Sequence, residues 1–142
     1  MSAPWRGTLL HIHTAPAASY EMEEQAEATL VAGRGIEGDR YFLGNGTYSQ
    51  LPAMREITLI EAEVLDALAR NDPPLQDGPI VLSPHEHRRN LTVRGVPLGH
   101  LVGRRFASGR RCCAARASTF RASTWSSCWV GRCTCRCTTA PG

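Results

Sequence analysis

The sequence predicts a mostly β fold with a few helices, of the α+β class. Short runs of apolar and β-branched residues recur along the chain, at Thr8–His13, Arg55–Ile60 and Leu91–Arg94. One stretch, Glu61–Arg70, instead spaces its apolar residues as a helix does. Glycine-rich turns separate these runs, and strands with few helices between such turns are typical of this class.

The first predicted strand, Thr8–His13, places Leu10 and Ile12 on one face and His11 and His13 on the other, since strand side chains alternate. Two histidines at this spacing can ligate a metal ion, but the sequence offers no third ligand nearby. A packed or solvated strand face is the alternative.

The next elements follow from the same patterns. Tyr20–Ala32 is acid-rich and fits either a short helix or an irregular link. The helix Glu61–Arg70 has acids in its first turn and arginine in its last, so its carboxylates are interpreted as a solvated face rather than an acid/base pair. Ile80–Leu82 is predicted to be a short strand, and Gly99–Val102 one helical turn.

Composition excludes several classes of protein. The 142 residues suit one domain, and no apolar run is long enough to span a membrane. The N-terminus lacks the charged start and apolar stretch of a signal peptide, so a cytoplasmic protein is expected. The first 111 residues contain no cysteine, which argues against a secreted disulfide scaffold. The 13 acidic residues and five arginines up to Glu86 give net −8, whereas the rest has 11 arginines and no acid. The chain has no lysine.

The loop Ala32–Phe42 concentrates glycine and charge. Gly33, Gly35 and Gly38 permit positive φ and close backbone approach, while Asp39 and Arg40 bring charge to the same turn. The loop is either a plain turn whose Asp and Arg pair with each other or an anion-binding loop, and the residues leave both open.

A second polar cluster, His85–Asn90, directly precedes the strand Leu91–Arg94. The forked donors of Arg88 and Arg89, with the amide of Asn90, suit a phosphate or the edge of a pterin-like ring. Nucleic acid is the competing partner. It is set aside here because this cluster has no stacking aromatic side chain nearby.

In order and spacing these motifs resemble the MOSC domain, named for the C-terminal domain of molybdenum cofactor sulfurases. The resemblance runs from about Gly7 to Phe106 and is carried by three stretches: Gly35–Tyr41, Ile57–Glu63 and Arg88–Phe106. Each stretch alone is a weak signal, and their common order makes the resemblance specific.

The resemblance implies a MOSC-type β-barrel that binds the molybdenum cofactor (molybdopterin), a pterin dithiolene with a phosphate. The resemblance also implies pyridoxal phosphate as a second phosphate-bearing cofactor. It also implies sulfur transfer or reduction of N-hydroxylated substrates, with a redox or sulfur-donor protein as partner and no membrane. The expected cofactor-binding residues are Gly38, Asp39 and Arg40 in the glycine loop, and Arg88, Arg89 and Asn90 as donors to the phosphate or pterin. Salt bridges to the acid-rich half are the alternative for each arginine.

The chain departs from this family at its C-terminal end. The family has a late cysteine in a Pro-Cys pair as metal ligand or persulfide carrier, and this chain has no Pro-Cys pair. We therefore assign no catalytic residue and no metal ligand, and we expect the activity to be impaired. The family's strands after Phe106 are also missing from the pattern. Residues 1–109 are thus predicted to form a partial MOSC domain, incomplete at its C-terminal end.

Residues 110–142 are predicted to be an unstructured, out-of-frame tail. They consist largely of Arg, Cys, Ala, Ser and Thr, whose codons dominate when GC-rich DNA is read in the wrong frame, and permitted codons in the other frame restore a Pro-Cys pair. A genuine Arg- and Cys-rich tail is the alternative. It would suit a thiolate metal-binding protein or a basic nucleic-acid-binding module, although the cysteine spacing is poor for tetrahedral zinc.

Overall fold

The computed structural model describes residues 7–31, 34–47, 49, 56–83, 85–101, 105–108, 111–117, 128–131 and 135–138. From residue 105 onward the description covers the backbone alone. The described residues form a mixed α+β fold made mostly of strands, which confirms the predicted class.

Ten strands and three helices occur in this described part of the chain. The strands are β1 Thr8–Thr14, β2 Glu23–Gln25, β3 Glu27–Val31, β4 Gly35–Ile36, β5 Thr58–Glu61, β6 Leu91–Arg94, β7 Arg105–Ser108, β8 Arg111–Ala117, β9 Cys128–Gly131 and β10 Cys135–Thr138. The helices are α1 Arg40–Leu43, α2 Ala62–Arg70 and α3 Leu98–Leu101.

The strands form two sheets. The larger has seven strands in the order β2-β1-β6-β5-β9-β8-β7, and the smaller has three in the order β10-β3-β4. β5 and β6 run parallel, with α2 in the connection between them, and the other pairs are antiparallel. The large sheet has two open edges, β2 and β7, so the described strands do not close into a barrel. This arrangement is compatible with the incomplete barrel that the sequence predicts.

The core lies between the sheets and is made of aliphatic side chains. Strands β5 and β6 lie inside the sheet and bury three consecutive residues each, as strands covered on both faces do. The buried core cluster consists of Ile12, Ala28, Leu30, Ile36, Ile57, Leu59, Leu91, Val93 and Leu98. Its members come from both sheets and from α3, so the two sheets share one core.

A β-bulge in β1 changes the predicted face pattern of the first strand. The register against β6 shifts between Leu9 and His11, so strict alternation is broken at this point. Leu9 packs against the core together with the buried Ile12, whereas the sequence pattern paired Ile12 with Leu10. His13 is buried next to Ile12 as well.

The undecided stretch Tyr20–Ala32 contains two strands, β2 and β3, and no helix in its described part. β2 adds to the edge of the large sheet, and β3 belongs to the small one. The predicted strand Ile80–Leu82 is wrong, because these residues have no regular structure. Val81 is 77% exposed, so this short apolar run gains no burial that would hold it in a sheet.

Helix α2 is a packing element, as the sequence predicts, and ends where Asn71 adopts a left-handed conformation. Its leading carboxylates bind backbone rather than only solvent. Glu61 Oε1 accepts from the Leu98 amide and Glu63 Oε1 from the Gly95 amide, both at 2.6 Å. These bonds fix the turn that follows β6. No helix among the described residues is long and apolar enough to cross a membrane.

The backbone of the C-terminal stretch differs from the predicted unstructured tail. β8, β9 and β10 all lie within residues 110–142, where no strands were expected. β9 pairs with β5 and β10 with β3, because these neighbours offer backbone N–H and C=O groups that pair whatever the side chains are. Residues 110, 118–127, 132–134 and 139–142 lie outside the described residues. The out-of-frame origin of this stretch stays a prediction.

Substitution of two glycines with positive φ tests how closely β4 of the small sheet approaches the backbone of Glu56. Gly35 has φ +106°, and a Cβ there would stand 2.3 Å from the Glu56 carbonyl oxygen, whereas a Cβ at Gly44 (φ +76°) would meet nothing within 4 Å. We expect Gly44→Ala to lower the free energy of unfolding by about 1–2 kcal/mol, through conformational strain alone. Gly35→Ala should cost clearly more, since a backbone carbonyl has to move. Equal losses in urea unfolding would contradict the close approach of Gly35 to Glu56.

Candidate functional site

The glycine loop and the segment before β6 meet in the structure. Asn90 Nδ2 donates to Asp39 Oδ1 at 3.0 Å, across 51 positions of sequence, and Arg40 Nη2 donates to the Arg88 carbonyl at 3.1 Å. Asp39 and Asn90 are fully buried and Arg40 is 5% exposed. We call the six residues Gly38, Asp39, Arg40, Arg88, Arg89 and Asn90 the loop junction. All six residues predicted from the sequence are therefore brought together.

Asp39 ties three parts of the chain together. It is the N-cap of α1, where its Oδ2 accepts from the Tyr41 amide at 3.2 Å. Its Oδ1 accepts from the Ala15 amide, just after β1, at 3.2 Å and from Asn90. A buried carboxylate is tolerated only when donors surround it, and here the donors come from α1, β1 and the 88–90 segment.

Asn90 has its whole amide occupied inside the protein. Its Nδ2 donates to the His13 carbonyl at 3.1 Å as well as to Asp39. Its Oδ1 accepts from the Thr58 amide at 3.1 Å and from the Thr58 hydroxyl at 3.0 Å. An asparagine amide offers two donors and two acceptor positions. Asn90 therefore orders the junction, whereas the sequence predicted a donor to the phosphate or pterin.

Arg40 is also committed to the protein interior. Its Nη1 contacts Asp39 Oδ1 at 3.4 Å and Met22 Sδ at 3.1 Å, and its guanidinium lies 4.7 Å from the centre of the Tyr41 ring. The pairing of Asp39 with Arg40 is one of the two interpretations that the glycine loop left open. Arg40 supports the loop from inside.

Gly38 and Arg88 both have a left-handed backbone. Gly38 has φ +83°, and a Cβ there would meet nothing within 4 Å, so the position needs glycine for its conformation rather than for space. Arg88 has φ +56°, which costs a residue with a Cβ about 1–2 kcal/mol. This conformation presents the Arg88 carbonyl to Arg40. Backbone strain of this kind, a left-handed conformation at a residue with a Cβ, is often found at functional sites, and in this protein it occurs in the junction.

Arg88 and Arg89 are the half-buried cations of the junction, unlike the buried Arg40. Arg88 Nη1 donates to the Tyr20 carbonyl at 2.7 Å, so its guanidinium is oriented by backbone. The Arg89 amide donates to His87 Nδ1 at 3.0 Å, which fixes the turn that carries both arginines. These two guanidinium groups are therefore the members of the junction best placed to meet a ligand from solvent.

The sequence did not predict that His13 and His87 meet beside the junction. The His13 ring is 2% exposed and lies 6.2 Å from the His87 ring, edge to face. Burial, helped by His13 and Arg89, lowers the pKa of His87 to about 4. The signal in the sequence was the repeated His-x-His pattern at 11–13 and 85–87, whose two copies come together in space.

The metal interpretation of His11 and His13 finds no third ligand in the described residues. Their rings are 5.8 Å apart, and His11 Nδ1 instead pairs with Glu24 Oε1 at 2.6 Å. No group of three His, Cys, Asp or Glu side chains in this part of the chain is arranged to hold a metal ion. The cysteine side chains of the C-terminal stretch lie outside the described residues, so the thiolate alternative stays a prediction.

The low pKa of His87 predicts a pH-dependent stability. Its folded pKa of about 4 lies below its ordinary value of 6.5, so between these pH values the unfolded chain binds the extra proton. We expect the free energy of unfolding to fall as the pH drops from 6.5 to 4, and urea unfolding at several pH values measures this.

The control for this pH dependence is His87→Asn, which keeps an acceptor near the Arg89 amide but cannot titrate. It should flatten the slope relative to the unchanged protein. Because Glu24 and His13 titrate in both proteins, their contributions cancel in the difference. Identical slopes would show that His87 is not held neutral in the folded state.

Comparisons with known proteins bear on the fold. No protein family and no curated protein matches the chain. The chain is similar to the crystal structure of the YuaD protein from Bacillus subtilis, with a TM-score of 0.67 and 15% sequence identity. The match covers 94% of this chain and 92% of that one, so it extends beyond residues 1–109 into the C-terminal stretch. At this identity the likeness establishes the fold alone.

Proposed function

We propose that the chain is a cofactor-binding protein whose loop junction holds the phosphate and pterin parts of the molybdenum cofactor. The single observation that carries the proposal is the contact between the two loops. The MOSC resemblance assigns residues 38–40 and 88–90 to the cofactor, and hydrogen bonds of 3.0 and 3.1 Å join these segments. Two separate sequence motifs for one ligand therefore lie at one place.

The charges of the junction suit the phosphate end of such a ligand. Arg88 and Arg89 are adjacent and half-buried; the Arg88 guanidinium is oriented by the Tyr20 carbonyl, and the Arg89 main chain is held by the ring of His87. A guanidinium group offers N–H donors in a fixed fork that matches a phosphate, and partial burial strengthens each charged hydrogen bond. The buried Asp39 and Asn90 do not compete for this role, because their polar atoms are used within the protein.

The residues present fit the pterin phosphate, and they leave the metal without an assigned ligand. The family's Pro-Cys pair does not occur in this sequence, and the described residues include no group of three metal-binding side chains. When bound, the cofactor would supply the redox and sulfur chemistry of the metal and its dithiolene. The part of this chain is to bind and orient the ligand, and we assign no catalytic residue.

Pterin binding by the purified full chain tests this proposal. The probe is metal-free molybdopterin, measured by the fluorescence of its oxidised pterin after gel filtration. We expect binding to weaken about tenfold or more in Arg88→Ala and Arg89→Ala, since each change removes charged hydrogen bonds of about 1.5–3 kcal/mol. The matched control is Arg70→Ala, which removes an exposed arginine from the end of α2.

Two outcomes contradict the proposal. Failure of the unchanged chain to retain the pterin would overturn it, and so would arginine variants that bind as well as Arg70→Ala. A parallel titration with pyridoxal phosphate separates the two phosphate-bearing cofactors. Binding of pyridoxal phosphate without the pterin would leave the phosphate contact standing and refute the pterin assignment.

A further inference from the structure

Four of the five histidines gather beside the loop junction. His11 and His13 lie on β1, and His85 and His87 lie in the segment before β6. The His13 ring is in the middle, 5.8 Å from that of His11 and 6.2 Å from that of His87. His85 acts electrostatically on both His13 and His87.

The rings of His11 and His87, on either side of His13, make hydrogen bonds within the protein. His11 Nδ1 pairs with Glu24 of β2 at 2.6 Å. His87 Nδ1 accepts from the Arg89 amide at 3.0 Å, and its Nε2 lies 3.2 Å from the Thr92 hydroxyl. Both ring nitrogens of His87 are therefore in use, which removes it as a metal ligand in this arrangement.

His13 Nδ1 differs from these atoms. It is the buried side-chain nitrogen or oxygen atom without a hydrogen-bond partner among the described residues, and the His13 side chain is almost fully buried. Leaving such an atom unsatisfied is unfavourable, because the hydrogen bond that it makes with water in the unfolded chain is not replaced. A buried polar atom of this kind calls for an explanation, and a functional role is one such explanation.

The junction itself holds the His13 ring in place. The His13 amide donates to the Asn90 carbonyl at 2.7 Å, and Asn90 Nδ2 donates to the His13 carbonyl at 3.1 Å. The same Nδ2 also donates to Asp39 Oδ1, so His13 is one hydrogen-bonding residue away from the glycine loop. Asn90 therefore fixes the His13 backbone on both sides.

The charge around His13 determines what it can offer a ligand. Burial lowers its pKa, Glu24 acts in the opposite direction, and His11 and His85 lower it further. The ring is therefore neutral near pH 7 and can carry its single proton on Nδ1. Arg89 adds positive charge near His87, whose ring lies 6.2 Å from that of His13, so an anionic oxygen is the partner that this environment favours.

We infer that His13 is a further ligand-binding residue of the loop junction, whose Nδ1–H donates a hydrogen bond to an anionic oxygen of the bound cofactor. This inference rests on the proposed function and adds a residue that the MOSC motifs do not include. It also explains why a polar ring stands next to Ile12 in the core, where an apolar side chain would remove the unsatisfied atom.

Two substitutions in the full chain separate a binding role from a merely structural one. His13→Leu removes the nitrogen and fills the space with an apolar side chain, so the free energy of unfolding should stay the same or rise. His13→Asn places an amide near the position of Nδ1 and keeps the donor. We expect molybdopterin to bind about tenfold or more weakly to His13→Leu, with affinity largely restored in His13→Asn. His100→Leu, at the exposed histidine of α3, is the matched control.

The outcomes distinguish the two proposals. If the unchanged chain binds no molybdopterin, the proposed function fails and this inference fails with it. If the unchanged chain binds and His13→Leu binds equally well, only the His13 contact is refuted. A His13→Leu protein that loses stability in urea unfolding would show that the ring is needed for folding, and equally weak binding by His13→Asn would count against the Nδ1 donor.

Discussion

The buried hydrogen bond between Asn90 and Asp39 is the constraint on which the site depends. Asp39 caps α1 and holds the end of β1, and Asn90 reaches Thr58 at the start of β5. Four segments that are distant in sequence thus share two fully buried polar side chains. Since a buried polar group without a partner is costly, removing either side chain leaves donors or acceptors of the other segments unsatisfied. The geometry of the junction follows from this network.

The polar side chains around this network fall into two groups, those bonded inside the protein and those partly exposed to solvent. Asp39, Arg40 and Asn90 are used within the protein and set positions, whereas the side chains of Arg88 and Arg89 remain half exposed, that of Arg88 oriented by the Tyr20 carbonyl. His13 stands between the two groups, buried and with one nitrogen unsatisfied in the described structure. A site of this kind needs both parts, because groups that meet a ligand bind it well only when others hold them in place.

The sequence predicted the local elements and the site loops, but not the division of roles inside the site. Helix α2 and strands β1, β5 and β6 follow from short-range periodicity, with boundaries shifted by a few residues. The predicted face pattern of β1 was wrong because the bulge depends on pairing with β6, where Leu9 lies opposite Val93, and no local pattern encodes a contact between such distant residues. The sequence did not predict the internal role of Asn90 or the contact between His13 and His87, for the same reason. Both are set by contacts between distant segments.

A double-mutant cycle between Asp39 and Asn90 tests whether the two loops meet through this buried hydrogen bond. The free energy of unfolding is measured for the unchanged chain, Asp39→Ala, Asn90→Ala and the double variant. A direct buried hydrogen bond to a carboxylate predicts a coupling free energy of about 1–3 kcal/mol, so the double variant loses less than the two single losses added together. Additive losses within about 0.5 kcal/mol would show that the two loops do not meet as described, and the account of the junction would then be wrong.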